Sequence, residues 1–265
     1  MVKYVNVTLI VLAFLSACAT SPLGRRQLRL FPASEVNAMG VAVFAKLKKE
    51  TPAAKSGKVN RYVRCVVNAI TAALPGTGGP GSWEVVVFQD DAVNAFALPG
   101  GKIGVYTGLL KVAQNQHQLA AVLGHEVAHV LANHSNERVS TAYATQTGVQ
   151  QMAKIFSGAS AATQERALAV LGVGAQFGVA LPFGRTQESE ADIIGIDLMA
   201  RAGFNPRQSI QLWKRMDEAG GARPPEFLTT HPSPQTRIED LRKRLPTAFP
   251  LYEKARLAGK KPRCR

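Results

Sequence analysis

His125-Glu126-Val127-Ala128-His129 lies within the apolar series Leu119, Val122, Leu123, Val127, Val130 and Leu131, whose spacing predicts a helix over Gln116 to Asn133. An α-helix advances about 100° per residue, so positions i and i+4 share a face roughly 6 Å apart. His125 and His129 therefore point two imidazole nitrogens the same way, a spacing that suits one Zn²⁺ at about 2.0–2.1 Å from each. Glu126 falls on the neighbouring face, where it can act as a base on water at the metal without ligating it.

Two ligands do not complete a catalytic zinc site, which usually has three from the protein and one open position. The other histidines fail on geometry if the helix is continuous: His134 is about 180° around it from His125, and His117 is about 80° off and two turns away. Both then read as ordinary surface histidines. The better source is the predicted helix Thr186 to Arg201, which carries Glu188-Ser189-Glu190-Ala191-Asp192. Glu188 and Asp192 share a face. Glu188 can ligate the metal, and Asp192, one turn on, can accept from the far nitrogen of a ligand histidine. The competing reading is an acidic, solvated face, and Glu190 fits that reading well.

The flanking sequence predicts helices over Ser34 to Glu50, Val59 to Leu74, Pro206 to Ala219 and Ser233 to Arg244. Trp83 to Phe88, Asn94 to Leu98 and Lys102 to Tyr106 read as short strands, the last two separated by the turn Pro99-Gly100-Gly101. Residues 135–184 hold alanine-rich stretches broken by glycines. Leu168 to Pro182 is apolar but short of a membrane span, which leaves core helix and lid both open.

Met1 to Ala17 has the form of a signal peptide, with an apolar stretch from Val5 to Ala17. Leu15-Ser16-Ala17-Cys18 resembles a bacterial lipobox, in which Cys18 becomes the lipidated first residue; the alternative is a plain secretory signal with an incidental cysteine. Ala19 in place of Asp favours, by resemblance to the sorting rule of such lipoproteins, the outer membrane. Residues 18–33 read as a lipidated tether. Export places the remaining cysteines, Cys65 and Cys264, in an oxidising compartment, where an even pair reads as one disulfide; two unpaired thiols are the alternative.

The 265 residues are 46% hydrophobic with 19% charged, enough for one folded domain. The formal charge of +14 is scattered rather than gathered into a nucleic-acid module, so no nucleic-acid partner is expected. Gly76-Thr77-Gly78-Gly79-Pro80-Gly81 lacks the Lys-Ser/Thr of a phosphate loop.

Taken together, His125-Glu126-x-x-His129, Glu188-x-x-Ala191-Asp192, Asn94-Ala95-Phe96-Ala97 with Pro99-Gly100-Gly101, and His231-Pro232 with Arg237 occur in an order that resembles one family. It is the zinc metallopeptidase family of HtpX, LoiP, BepA and the CAAX prenyl endoproteases (metallopeptidase family forty-eight). The resemblance covers roughly residues 35 to 245, and the compact LoiP-like periplasmic lipoproteins are its nearest type. It implies an α+β, mostly helical zincin-like domain over residues 34–250, with a small mixed β-sheet beside the motif helix and a basic C-terminal tail at 251–265. It implies one Zn²⁺ per subunit held by His125, His129 and Glu188, with Glu126 as catalytic base. Asp192 and Arg237 are expected to support the ligands, and Asn94 and Phe96 to lie beside a substrate cleft. His231 is left between two roles, stabilising the oxyanion or filling the fourth zinc position at rest. The expected activity is peptide-bond hydrolysis on protein or peptide substrates, misfolded outer-membrane proteins among them. The expected location is the periplasmic face of the outer membrane. A chaperone-like assembly factor with a latent metal site is the rival reading.

Overall fold

The computed structural model describes residues 18–74, 76, 79–144, 183–220, 225–232 and 236–265. The signal segment 1–17 and the apolar stretch Leu168 to Pro182, with its choice between core and lid, lie outside the described residues. In chain order the described elements are strands β1 (Cys18–Thr20) and β2 (Arg26–Leu28), helices α1 (Ala33–Glu50) and α2 (Gly57–Thr71), and strands β3 (Glu84–Phe88), β4 (Ala95–Leu98) and β5 (Lys102–Tyr106). Helices α3 (Leu109–Val112), α4 (Gln116–Leu131), α5 (His134–Ala144), α6 (Arg185–Arg201), α7 (Arg207–Gly220), α8 (Glu226–Thr230) and α9 (Arg237–Leu257) follow. The class is α+β and mostly helical, as the sequence implies.

The main sheet has the order β3-β5-β4. β5 pairs parallel with β3 and antiparallel with β4, so the sheet is mixed and β4 lies on its edge. Helix α4 packs against β4, α2, α6 and α7. Asn115 caps it by accepting from the backbone N–H of His117 and Gln118, which satisfies two of the otherwise unpaired first-turn donors. Every residue from Gln118 to His129 is buried. A helix enclosed on all sides needs little amphipathic contrast, which is why its polar motif residues can face inward.

The backbones of α4 and α6 come close together where the two helices cross. A Cβ on Gly124 would lie 2.8 Å from the carbonyl oxygen of Gly195, and a Cβ on Gly195 would lie 2.8 Å from the backbone nitrogen of His125. Only two glycines let the backbones come so near. That proximity brings the acidic first half of α6 onto the histidine face of α4.

Two boundaries differ from expectation. The segment expected to be a tether, residues 18–33, instead forms the β1–β2 hairpin and packs on α5. Its polar groups find partners there: Gln27 donates to the carbonyl of Ala132 at 2.6 Å, Leu30 N–H to Ser140 Oγ at 2.8 Å, and Asn136 Nδ2 to the carbonyl of Phe31 at 2.8 Å. The last helix runs on to Leu257 through Pro246 and Pro250, so the boundary expected at 250 falls inside it. Beyond the helix the tail is fastened by the Cys65–Cys264 disulfide and by hydrogen bonds from Gln116 Nε2 to the carbonyl of Pro262 and from Cys264 N–H to Gln116 Oε1.

Candidate metal centre

Four side chains converge in the interior: His125 and His129 from α4, Glu188 from α6, and His231 just after α8. All four are buried, and each offers a ligand atom within 4.8 Å of the others. The imidazole Nε2 atoms of His125 and His129 are 3.1 Å apart. Glu188 Oε2 lies 3.3 Å from His125 Nε2, and Oε1 lies 3.4 Å from His129 Nε2. A tetrahedral zinc with bonds of roughly 2.0–2.1 Å needs donors about 3.3–3.4 Å from one another. The three donors meet that requirement within a few tenths of an ångström.

The electrostatics also suit a cation. Burial disfavours charge on His125, yet the carboxylates of Glu188 and Asp192 outweigh it and raise its pKa to about 9. The pocket therefore favours positive charge strongly enough to overcome desolvation. Burial would raise Glu188, but His231 and His125 hold it well below the usual carboxylate range. Burial depresses His129 well below the ordinary histidine value, which keeps it in the neutral form that a ligand requires.

Supporting groups fix these donors. His125 Nδ1–H donates to Asp192 Oδ1 at 2.9 Å, the carboxylate–histidine pairing that orients a ligand ring. Arg237 donates from Nε to Asp192 Oδ2 at 2.7 Å and from Nη2 to Glu188 Oε2 at 2.6 Å. Its guanidinium carbon sits 4.1 Å from the Trp213 ring centre. Arg237 is thus an ion-pair partner of Asp192 and Glu188.

Glu126 stands beside the cage. Its Oε2 accepts from the Ala97 N–H of β4 at 3.1 Å. Its Oε1 faces His231 Nε2 at 3.4 Å and is buried with no hydrogen-bond partner among the described residues. Burial pushes the Glu126 carboxyl up from its usual range. His231 Nδ1 is 3.1 Å from Glu188 Oε1 and 3.3 Å from His125 Nε2. Of the two roles left open for His231, this position matches a fourth donor.

The cleft-side segment divides in two. Asn94, at the entrance to β4, donates from Nδ2 to Glu226 Oε1 at 3.0 Å, and Phe227 N–H donates to the carbonyl of Val93 at 3.1 Å. These bonds tie α8, and the His231 that follows it, to the edge strand. Phe96 corrects the expectation of a substrate contact: its ring is buried against Phe44, Phe88 and Tyr106. Alternation along the strand sends that side chain into the core.

His134 and Glu190 also depart from expectation. The helix is not continuous past Leu131; Asn133 takes a left-handed conformation, φ 53°, and a new helix begins at His134. His134 is fully buried, with Nδ1 2.9 Å from His129 Nδ1 and Nε2 3.1 Å from Glu190 Oε2. Glu190 is not solvated; it also takes Arg25 Nε at 2.9 Å. Burial opposes its charge, but His134, Ser21 and Arg25 hold its pKa at about 2. The sequence signal for this turn was Ala132-Asn133, since asparagine tolerates left-handed backbone better than most residues. His117 accepts from Asn205 N–H at 3.2 Å and packs edge-on to Phe204, away from the cage.

Comparison with known proteins agrees with this geometry. The sequence model of peptidase family M48 matches residues 54–245. The mitochondrial metalloendopeptidase OMA1 of Schizosaccharomyces pombe is 39% identical over 175 residues, covering 63% of this chain and 48% of that protein. Its namesake in Saccharomyces cerevisiae is 37% identical over 183 residues, covering 65% and 50%. The beta-barrel assembly-enhancing protease of Escherichia coli is 30% identical over 212 residues, covering 78% and 43%. The chain spans about half the length of these relatives. The matched region contains α4, α6 and His231, every element that contributes a donor to the cage, and by that match the chain belongs to peptidase family M48.

Proposed function

We propose that this protein is a zinc-dependent endopeptidase of the bacterial cell envelope. The observation that carries the reading is the convergence of His125, His129 and Glu188 at metal-ligand spacing beside the buried Glu126 Oε1, which has no hydrogen-bond partner among the described residues. A zinc ion held by these three residues would act as a Lewis acid toward the scissile carbonyl and lower the pKa of water at the site.

The chain's own groups handle the proton. Ala97 N–H holds Glu126 Oε2 in place, and Oε1 has a free lone pair to accept the proton as the water oxygen attacks the carbonyl carbon. The same carboxyl, once protonated, can deliver that proton to the amine nitrogen as the C–N bond breaks. Glu126 ends as the carboxylate it began as. The edge strand β4 offers main-chain groups for an extended peptide to pair with, with Asn94 setting the position of the strand's entrance. His231, displaced from Glu188 by substrate, would be free to stabilise the oxyanion.

Lipidation of Cys18 would hold the domain on the periplasmic face of the outer membrane. The lipobox-like Leu15-Ser16-Ala17-Cys18 and the Cys65–Cys264 disulfide support export. Substrates would be proteins or peptides of that compartment, misfolded outer-membrane proteins among them, in a quality-control role. One observation favours the rival reading of a chaperone-like assembly factor with a latent site: His231 Nδ1 sits where a fourth ligand would.

The test is metal analysis and casein digestion by the purified mature protein, with and without chelator, alongside Glu126→Gln. We expect zinc near one per chain in both proteins, cleavage by wild type alone, and loss of cleavage with chelator. Equal cleavage by Glu126→Gln would remove the assignment. If a Glu126→Gln strain keeps the wild-type phenotype, the latent-site reading gains.

A further inference from the structure

A second line of contacts leaves the metal cage through His129 and ends in the N-terminal hairpin. His129 Nδ1 faces His134 Nδ1 at 2.9 Å; His134 Nε2 faces Glu190 Oε2 at 3.1 Å; Glu190 Oε2 accepts from Arg25 Nε at 2.9 Å. Arg25 also clasps Glu137, donating to its Oε2 from Nη2 at 2.7 Å. We propose that the hairpin following Cys18 completes the metal centre: Arg25, acting through Glu190 and His134, fixes the ring of the ligand His129. This rests on the metal centre proposed above.

The proton count along this line has one solution. A neutral imidazole that ligates through Nε2 carries its proton on Nδ1. His129 Nδ1–H must therefore be accepted by His134 Nδ1. His134 then carries its own proton on Nε2 and donates it to Glu190, an acceptor when ionised. Arg25 supplies only donors, so Glu190 receives from both sides. No link in the chain can be reversed while His129 remains a ligand.

The two ligand histidines are thus supported by different means. His125 reaches a carboxylate, Asp192, directly. His129 meets its carboxylate one ring further away, through His134. His134 is fully buried, so its removal leaves an unpaired donor on His129 rather than one that bulk water satisfies. Gln27 strengthens the same join, since it bonds both the carbonyl of Ala132, three residues beyond His129, and Glu137 Oε2. Arg25 and His134 are positioning residues: neither reaches the reacting atoms. The segment after Cys18 is in this sense part of the metal site.

The experiment uses the mature full chain loaded with Zn²⁺, or with Co²⁺ for its visible spectrum. Metal affinity is read by competition with a chromogenic chelator. We expect His134→Phe and Arg25→Gln each to weaken affinity by about 10–100-fold, the usual effect of losing an outer partner of a ligand, and to shift the Co²⁺ bands. His134→Gln should stay near wild type, because its amide oxygen can accept from His129 while its NH₂ donates to Glu190. Wild-type affinity and spectrum in Arg25→Gln, whose side chain is on the partly exposed hairpin, would overturn the proposal even if His134→Phe did not fold. So would a His134→Gln protein as weak as a folded His134→Phe. A wild-type chain that takes up no metal would overturn the metal centre itself, a result distinct from any difference among the variants.

Discussion

Arg237 shows how much one side chain supports. It is the largest fully buried side chain in the described structure, and it pairs with both the ligand Glu188 and Asp192, the partner of the ligand His125. Removing one member of a buried, hydrogen-bonded pair leaves the other charge in a poor solvent and typically costs about 3–5 kcal/mol. We expect Arg237→Ala to lower the urea unfolding free energy by about that amount and to weaken metal retention. Arg237→Lys should recover little, because a lysine ammonium cannot span Asp192 and Glu188 with a planar fork or lie flat on Trp213. Recovery of stability by lysine would show that charge alone suffices. Asp192 was legible in sequence, because helical spacing puts it one turn from Glu188, whereas Arg237 entered only through the family resemblance. Arg25, His134 and Glu190 were not legible. Their roles depend on the break at Asn133 and on a hairpin far earlier in the chain, and neither shows in local periodicity.

At the scale of elements, the site depends on how close α6 comes to α4. Glycine inside a helix costs roughly 0.5–1 kcal/mol relative to alanine, so Gly124 and Gly195 hold their places through packing. Gly195→Ala would set a methyl group 2.8 Å from the His125 nitrogen and 2.9 Å from its Cα. Neither is the movable end of a side chain. The helices must separate, at a cost of about 1–3 kcal/mol for overpacking, and Glu188 moves away from His125 and His129. We expect a lower unfolding midpoint together with weaker zinc binding in the same chelator competition; a variant that loses stability but binds zinc normally would disprove the link between the crossing and the cage. Neither glycine stood out in the sequence, because a lone glycine in a helical pattern does not say which helix it meets. Element identity was largely readable: β5 spans Lys102–Tyr106 as expected, and α6 begins within one residue of expectation. The parallel pairing of β3 with β5 was not, because strand order in space is not written in the order along the chain. Helix α9 runs well past Arg244 because Pro246 and Pro250 are accommodated within it, whereas proline in sequence reads as a stop.

At the scale of the whole molecule, charge and covalent closure act against each other. The formal charge is +14, and the last ten residues, Arg256 to Arg265, contain five basic side chains and no acidic one. Net charge of this size pushes the compact state apart, and most at a like-charged end. The Cys65–Cys264 disulfide fastens that end to α2 across a sequence separation of 199. In the chain-entropy account, closing a loop of that length stabilises the fold by about 5 kcal/mol, with measured losses on removal commonly about 2–5 kcal/mol. Replacing both cysteines by serine should therefore lower the urea midpoint substantially. The metal cage is built from other elements, so zinc affinity should change little under folding conditions. If repulsion contributes, added salt should restore part of the lost stability in the serine variant, because the screening length falls from about 10 Å at 0.1 M to about 3 Å at 1 M. A deficit that is the same at both salt concentrations would assign the whole effect to chain entropy. A serine variant as stable as wild type would mean that Gln116 and its bonds to Pro262 and Cys264 hold the tail without covalent help.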